Sequence, residues 1–229
     1  MSETTANLPL STLDALRAQF GPALQENVSM ANYTTARVGG QASAMLVANS
    51  AADLTRFARG LWALEVPFYV LGSGSNVLVS DQGLSGVVIL NKARTIKVDV
   101  HKQNDSAGHG EQMASVWAES GANFGTIARQ VALRGLSGLE WAATIPGSLG
   151  GAVYGNAGAY GSDMSANLML AEILHPGGVE SWTLERLNYQ YRSSALKHMK
   201  GKTGFPAARG IPAARGIPAA VILSARLKL

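Results

Sequence analysis

The segment from Tyr69 to Ser80, YVLGSGSNVLVS, constrains the fold of this chain more than any other stretch. It begins like the glycine-rich turn of the Rossmann fold, with Gly72 and Gly74 separated by one serine. Val77 stands where that motif requires its third glycine, and the valine-rich residues that follow predict a strand and not a helix. The segment therefore argues against a Rossmann turn and predicts a glycine turn between two strands.

Apolar residues recur with helical spacing in three other segments. One of them follows a capping signature that begins at Ser50. Residues 11–21 predict a second helix, with Ser11 or Thr12 as its cap, and residues 122–135 predict a third. Strands are predicted over residues 43–49, 68–71, 77–80, 87–90, 95–100, 114–120 and 219–229, and a β-hairpin over 168–184. The chain is therefore expected to mix helices and sheets.

This order of elements predicts two domains, residues 1–94 and 95–229. Residues 1–10 are expected to be a loose tail, and the polar stretch 101–112 a hairpin loop or a mobile tip. The six-residue unit that recurs over 205–220, FPAARGIPAARGIPAA, has a proline in every copy and cannot form a regular helix. It favours a local duplication in a surface loop.

Composition argues against several classes of function. The 229 residues include no cysteine, which excludes disulfides and cysteine nucleophiles, and the four histidines are scattered, so no metal site is predicted. The net charge of +4 is not gathered into a basic stripe, so nucleic acid is not an expected partner. No run of 18 apolar residues and no signal-like start occur, so we expect a soluble, cytoplasmic protein that does not bind a membrane.

Three tracts are candidates for chemistry, and each also has a purely structural interpretation. The loop 72–77 combines glycines that let an anion approach the backbone with donors that suit a pyrophosphate, although a tight turn without a ligand explains it too. Residues 145–163 contain six glycines, on which a flat ligand can lie, and close helix–sheet packing is the alternative. The segment 189–197, YQYRSSALK, carries Arg192, which suits a carboxylate or phosphate, or a surface salt bridge.

Taken in order, these tracts resemble the UDP-N-acetylenolpyruvoylglucosamine reductase family, flavoenzymes of peptidoglycan precursor synthesis. The matching pieces are NYTTARVGG (32–40), VLGSGSNVLVSDQGLSGVVI (70–89), GLSGLEWAATIPGSLGGAVYGNAGAYGSD (135–163) and YRSSALKH (191–198). The resemblance implies an α+β chain with the two-subdomain FAD-binding fold of the vanillyl-alcohol-oxidase (PCMH) type. It also implies that the strand–turn–strand loop holds the FAD pyrophosphate without a Rossmann helix.

The resemblance further implies a reaction and a set of site residues. NADPH would reduce FAD, and the reduced flavin would then reduce the enolpyruvyl double bond of a UDP-sugar to give UDP-N-acetylmuramate, in a protein expected to act as a monomer. Arg192 would be catalytic and would stabilise an enol-like intermediate. The cofactor-binding residues would be Thr35, Arg37, Gly39, Leu71, Gly72, Ser73, Gly74, Ser75, Asn76, Val77, Thr144, Ile145, Pro146, Gly147, Gly150, Gly151, Asn156, Gly158, Ala159 and Tyr160.

The family continues beyond the last strand predicted here, into a C-terminal substrate domain that supplies a serine proton donor and a glutamate. No residue of this sequence matches either motif, so that domain is expected to be absent from residues 1–229. A positioned general acid contributes roughly 10²–10⁴-fold in rate, so we expect flavin binding to survive and sugar reduction to be impaired. Two alternatives stay open, a flavin-binding module or oxidase that does not reduce the sugar, and a scaffold that binds no flavin.

Overall fold

The computed structural model describes residues 8–104, 110–199, 201 and 216–229. Its contacts divide the chain into two compact units, which are described separately. The first unit comprises residues 1–92, 175–178 and 199–221, and the second comprises 93–174, 179–198 and 222–229. The predicted domains, 1–94 and 95–229, stay a prediction, because a division by contacts does not show that either part folds alone.

The first unit is built on a four-stranded sheet. Its helices are α1 (Leu10–Phe20) and α2 (Ala51–Ala63), and its strands are β1 (Gln25–Ser29), β2 (Gln41–Ala48), β3 (Phe68–Leu71) and β4 (Leu84–Asn91). The strand order is β1-β2-β4-β3, in which β1 and β2 are antiparallel while β2 and β3 both run parallel to β4. Helix α2 begins as predicted, because the Ser50 hydroxyl accepts a hydrogen bond from the Asp53 backbone N–H at 3.1 Å.

Three predictions for the first unit are wrong. The predicted tail 1–10 is too long, because the buried Leu8 donates its N–H to the Ser43 hydroxyl at 3.3 Å and α1 begins at Leu10. Helix α1 begins after Pro9 and has no side-chain cap, so neither Ser11 nor Thr12 caps it. Residues 77–80 form no strand, and the glycine turn therefore follows β3 without leading into a second strand. The physical reason is that Val79 is buried in the apolar core of the unit without joining the hydrogen-bonded ladder.

The second sheet has five strands, most of whose residues belong to the second unit. The strands are β5 (Ile96–Asn104), β6 (Gly110–Glu119), β9 (Leu168–His175), β10 (Gly178–Trp182) and β11 (Val221–Lys228), in the order β10-β9-β11-β6-β5. A separate two-stranded hairpin joins β7 (Gly158–Ala159) to β8 (Ser162–Asp163). The helices are α3 (Phe124–Ala132), α4 (Leu149–Gly155), α5 (Met164–Asn167), α6 (Leu184–Leu187) and α7 (Ala195–His198).

The two predicted hairpins of the second sheet are confirmed, but the predicted tip 101–112 is too long, because residues 101–104 belong to β5 and residues 110–112 belong to β6. Strands β5 and β6 form an antiparallel hairpin whose register runs to the pair Asn104 and Gly110, and β9 and β10 are neighbours on either side of Pro176. Residues 105–109 of the predicted tip, most of the repeat at 205–220 and residues 1–7 of the predicted tail lie outside the described residues. Among the helices of the described ranges, none has the length and apolar character needed to cross a membrane.

Candidate functional site

In the first unit, the glycine loop lies directly against the segment that contains Thr35. The backbone N–H of Thr35 donates to the carbonyl oxygen of Gly74 at 3.0 Å. Gly74 has φ 68°, and a Cβ atom built there would lie 1.9 Å from the carbonyl oxygen of Tyr33. Only glycine fits this approach, so the structure brings together two segments that the sequence placed far apart.

The same segment continues alongside Val79 and Ser80, which follow the loop. The Gly40 N–H donates to the Ser80 carbonyl at 2.9 Å, and a Cβ atom built on Gly39 would lie 2.7 Å from Cβ of Val79. Gly39 has φ 124°, which further restricts the position to glycine. Three of the predicted site positions, Thr35, Arg37 and Gly39, therefore belong to a segment held against the loop.

The glycine loop offers unpaired donors to a ligand. Within the described residues, the backbone N–H groups of residues 72–76 and the side chains of Ser73, Ser75 and Asn76 make no hydrogen bond. Ser73 and Asn76 are also exposed. Successive free N–H groups around a left-handed residue form the kind of concavity that binds phosphate groups in proteins. The loop therefore fits a pyrophosphate, and Leu71 closes it on the side of the core, where its side chain is buried.

In the second unit, the two glycines at the start of α4 have different surroundings. A Cβ atom built on Gly150 would lie 2.9 Å from Cβ of Ser120, whose carbonyl oxygen also accepts from the Gly150 N–H at 2.7 Å. A Cβ atom on Gly151 would meet only the Ser148 hydroxyl, at 3.5 Å, and Gly151 is exposed. Close packing explains Gly150, whereas Gly151 presents bare backbone to its surroundings.

The residues just before α4 form a tight turn beside the start of α3. The N–H of Phe124 donates to the carbonyl oxygen of Gly147 at 3.0 Å, and the N–H of Leu149 donates to the carbonyl oxygen of Ala122 at 2.8 Å. Of the predicted site residues in this turn, Thr144 and Pro146 are exposed, whereas Ile145 and Gly147 are half-buried.

A pocket of about 310 Å³ lies beyond the end of α4. Its lining includes the predicted site residues Asn156, Gly158, Ala159, Tyr160 and Arg192. Nη2 of Arg192 donates to the Gly158 carbonyl oxygen at 2.7 Å, which places the guanidinium group at the wall of the pocket. Four other lining residues fall within the predicted tracts 145–163 and 189–197 but not among the predicted site residues, because only the tertiary structure shows which residues of the hairpin and the turn face the pocket: Gly161, Ser162, Asp163 and Tyr191.

Arg192 occupies a tight turn that it shares with Tyr191. Backbone groups of Gln190 and Ser193 bind each other in both directions at 3.1 Å, and Arg192 adopts φ 55°. Nζ of Lys197 donates to the Arg192 carbonyl oxygen at 2.5 Å. The Arg192 side chain is exposed, so its remaining N–H groups are accessible to a ligand.

The side chain of Asn156 is committed to the protein itself. Its Nδ2 donates to Asp163 Oδ2 at 3.0 Å and to the Gln190 carbonyl at 3.1 Å, while its Oδ1 accepts from the Ser165 N–H at 3.2 Å. Asn156 is also buried. Its assignment to the cofactor stays a prediction, and the structure gives its amide the role of joining three segments of the second unit.

Backbone strain is concentrated at the predicted site residues. Among the described residues, seven that are not glycine have positive φ, and four of them are Arg37, Asn156, Tyr160 and Arg192. Such conformations cost about 1–3 kcal/mol each and tend to cluster at functional sites. The predicted site residues thus include four of these seven positions, and their assignment to the site stays a prediction.

Two tyrosines near the end of α4 have pKa values raised above the ordinary value for tyrosine. Burial raises the pKa of Tyr189, and the nearby Asp163 carboxylate raises it further. Burial also raises the pKa of Tyr154. The Tyr189 hydroxyl is therefore a neutral donor at neutral pH.

Residues 42–182 match the model of a protein family described as the FAD binding domain. The chain belongs to this FAD binding domain family. FAD is therefore the cofactor that its family binds. The match includes the loop 71–77 and the tract 144–160, whereas Arg192 and the segment containing Thr35 lie outside it.

Curated relatives of this member of the FAD binding domain family are named UDP-N-acetylenolpyruvoylglucosamine reductase. The relative from Synechocystis is 36% identical over 202 residues, which are 87% of this chain and 60% of that protein. The relative from Bacillus subtilis is 38% identical over 172 residues, 75% of this chain and 53% of that protein. The chain thus spans 53–60% of the length of these relatives.

Solved structures confirm the predicted fold class. The UDP-N-acetylenolpyruvylglucosamine reductase of Thermus caldophilus has a TM-score of 0.62 at 29% identity, over 87% of this chain and 60% of that one. A vanillyl-alcohol-oxidase-type flavoprotein from Myceliophthora thermophila has a TM-score of 0.57 at 13% identity, over 96% of this chain and 47% of that one. The second likeness shows the fold alone, which is the FAD-binding fold of the vanillyl-alcohol-oxidase type.

Proposed function

We propose that this chain binds FAD and takes part in the NADPH-driven reduction of UDP-N-acetylglucosamine enolpyruvate to UDP-N-acetylmuramate. The observation that carries the proposal is the 2.7 Å hydrogen bond from Arg192 to the Gly158 carbonyl oxygen. It puts the predicted catalytic cation on the wall of a pocket lined by predicted cofactor residues. The names of the relatives supply the substrate class.

The residues of each unit suit a different part of this task. The chemistry that FAD supplies when bound is hydride transfer from NADPH to the carbon–carbon double bond of the enolpyruvyl group. In the first unit, the free N–H groups of residues 72–76 would bind the pyrophosphate. In the second unit, the bare backbone at Gly151 would let a flat ring lie close.

Arg192 would act on the substrate. Hydride addition to the double bond builds negative charge towards the neighbouring carboxylate, and a fixed cation stabilises that charge best where water is scarce. The contact with Gly158 uses one N–H of the guanidinium group and holds that group at the wall of the pocket. The other donors of this planar fork remain available for a carboxylate.

The proposal extends to partners and location. We propose that the chain acts as a monomer on a small-molecule UDP-sugar and does not bind nucleic acid. Its location would be the cytoplasm, where such sugars and NADPH are found. A net charge of +4 without a basic stripe supports the absence of nucleic-acid binding.

An anaerobic absorption spectrum of the purified chain tests the proposal directly. We expect the bound flavin to bleach when NADPH is added and to recover its colour only slowly when the enolpyruvyl sugar follows, in line with the impaired sugar reduction expected from the sequence. Flavin that bleaches without recovering would leave a flavin-binding module and overturn the sugar-reductase part of the proposal. A chain that takes up no flavin at all would overturn the proposal entirely.

A further inference from the structure

The end of helix α4 is closed by side chains from either side of the Arg192 turn. A helix end leaves its last carbonyl groups without partners in the helix. The Tyr189 hydroxyl donates to the Val153 carbonyl oxygen at 2.9 Å, and the Ser194 hydroxyl donates to the Tyr154 carbonyl oxygen at 2.7 Å. Two successive carbonyl groups of α4 are thus bound, and we call this pair of contacts the hydroxyl clamp.

The turn between the two clamp residues is tied to the chain that follows α4. Nδ2 of Asn156 donates to the Gln190 carbonyl oxygen at 3.1 Å, and Nη2 of Arg192 donates to that of Gly158 at 2.7 Å. Four hydrogen bonds therefore run between residues 153–158 and residues 189–194. This density of contacts makes the turn and the end of α4 one rigid element.

Of the clamp residues, Ser194 is buried and Tyr189 is half-buried, whereas Arg192 between them is exposed and strained. Ser194 is 1% exposed. Arg192 is exposed and adopts φ 55°. A left-handed conformation of this kind persists only where the surrounding structure holds it in place. The clamp supplies that support from the protein interior.

We propose that Tyr189 and Ser194 are positioning residues for Arg192. By fixing the turn on the end of α4, they hold the Arg192 guanidinium group at the Gly158 carbonyl oxygen and so at the pocket. The purpose of that placement rests on the proposed function, whereas the placement itself is testable without flavin or substrate.

The test compares clamp variants with matched controls by NMR, through the hydrogen exchange of arginine guanidinium protons. Tyr189→Phe and Ser194→Ala each remove one clamp hydroxyl. Ser194→Thr keeps a hydroxyl at position 194 and is the conservative variant. The control Tyr154→Phe removes a hydroxyl that has no hydrogen bond within the described residues. The control Ser224→Ala removes a buried hydroxyl that donates to Glu172 at 2.5 Å in the same unit.

We expect both clamp variants to speed the exchange of the Arg192 guanidinium protons roughly 3- to 10-fold, the worth of one hydrogen bond. Arg226, which binds Asp99 at 2.8 Å, serves as the internal reference and should not change. Ser194→Thr should restore slow exchange, and neither control should affect Arg192. Unchanged exchange at Arg192 in both clamp variants, or an equal change in Ser224→Ala, would overturn the proposal.

Kinetics of flavin reoxidation by the enolpyruvyl sugar separate this inference from the proposed function. In a chain that reduces the sugar, Tyr189→Phe should slow reoxidation but have no added effect in an Arg192→Lys background, because it acts through Arg192. Additive effects of the two changes would overturn the positioning role. A chain that shows the expected NMR response but no sugar reduction would confirm the positioning and refute the reductase proposal.

Discussion

The backbone N–H of Thr35 donates to the carbonyl oxygen of Gly74 across 3.0 Å, and this bond joins the early segment of the predicted site to the glycine loop. Both segments lie in the first unit. The approach is close enough that a side chain on Gly74 would collide with the Tyr33 carbonyl oxygen. The shape of the loop, and with it the free N–H groups of residues 72–76, therefore depends on glycine at position 74.

Replacement of Gly74 by alanine should destabilise the first unit more than the strain of a left-handed alanine would by itself. Gly135 is the matched control, because its φ of 72° is close to the 68° of Gly74 while a Cβ atom there meets nothing within 4 Å. We expect Gly135→Ala to lower the free energy of unfolding by about 1–2 kcal/mol, the cost of a left-handed alanine. Gly74→Ala should cost at least about 1 kcal/mol more, as measured by urea unfolding. Equal losses in the two variants would show that the contact with Tyr33 carries no weight.

Gly151→Ala should stabilise the protein while weakening the binding of FAD. Gly155 lies in the same helix and also has open space around it, so Gly155→Ala is the control. Alanine at either position should raise the free energy of unfolding by up to about 1 kcal/mol. Only Gly151→Ala should raise the Kd for FAD, by roughly tenfold or more, because its methyl group would occupy space needed by the ring. A titration that follows flavin fluorescence measures the Kd for FAD of each variant. Equal Kd values for Gly151→Ala and Gly155→Ala would remove Gly151 from the site.

Arg192→Lys should impair the sugar half of the reaction and leave the NADPH half intact. Lysine keeps the charge but loses the planar fork, so we expect reoxidation of reduced flavin by the sugar to slow about 10²-fold. The control is Arg134→Lys, which changes another exposed arginine that donates to a carbonyl oxygen, that of Gln130, at 3.0 Å. Stopped-flow absorbance resolves the two half-reactions. Equal slowing of both halves would contradict a role for Arg192 at the substrate.

Stability should fall at alkaline pH because of three half-buried tyrosines. Burial raises the pKa of Tyr69, Tyr154 and Tyr189 above the ordinary value near 10. Below about pH 10 both the folded and the unfolded chain keep these protons, and the stabilisation is fully present. Above it the unfolded chain loses protons that the folded chain retains, so the free energy of unfolding falls as pH rises.

The variant Tyr189→Phe isolates the part that one residue plays in this pH dependence. It should show a shallower loss of stability than the parent chain between about pH 10 and 12, because phenylalanine has no proton to lose. Urea midpoints at a series of pH values measure the slope. Identical slopes for the parent and the variant would show that Tyr189 does not keep its proton in the folded state.

Several elements could be predicted from the sequence because their causes are local. The cap of α2 needs only Ser50 and the N–H of Asp53, which lies three residues away. The β9–β10 hairpin needs only two short strand-forming segments on either side of a Pro-Gly turn. Residues 77–80 were predicted wrongly because strand formation requires a neighbour, and the run of apolar residues there reports the burial of Val79 instead.

The candidate site shows the same division between local and tertiary causes. The order and composition of the motifs determined the fold family and the set of candidate residues, since the spacing of glycine, serine and arginine can be read directly from the sequence. Only the tertiary structure decided that Gly150 packs against Ser120 while Gly151 stays open, and that the Asn156 amide is used within the protein. The reason is physical, because the space around a residue and the partners of a buried polar group depend on chain segments that are distant in sequence.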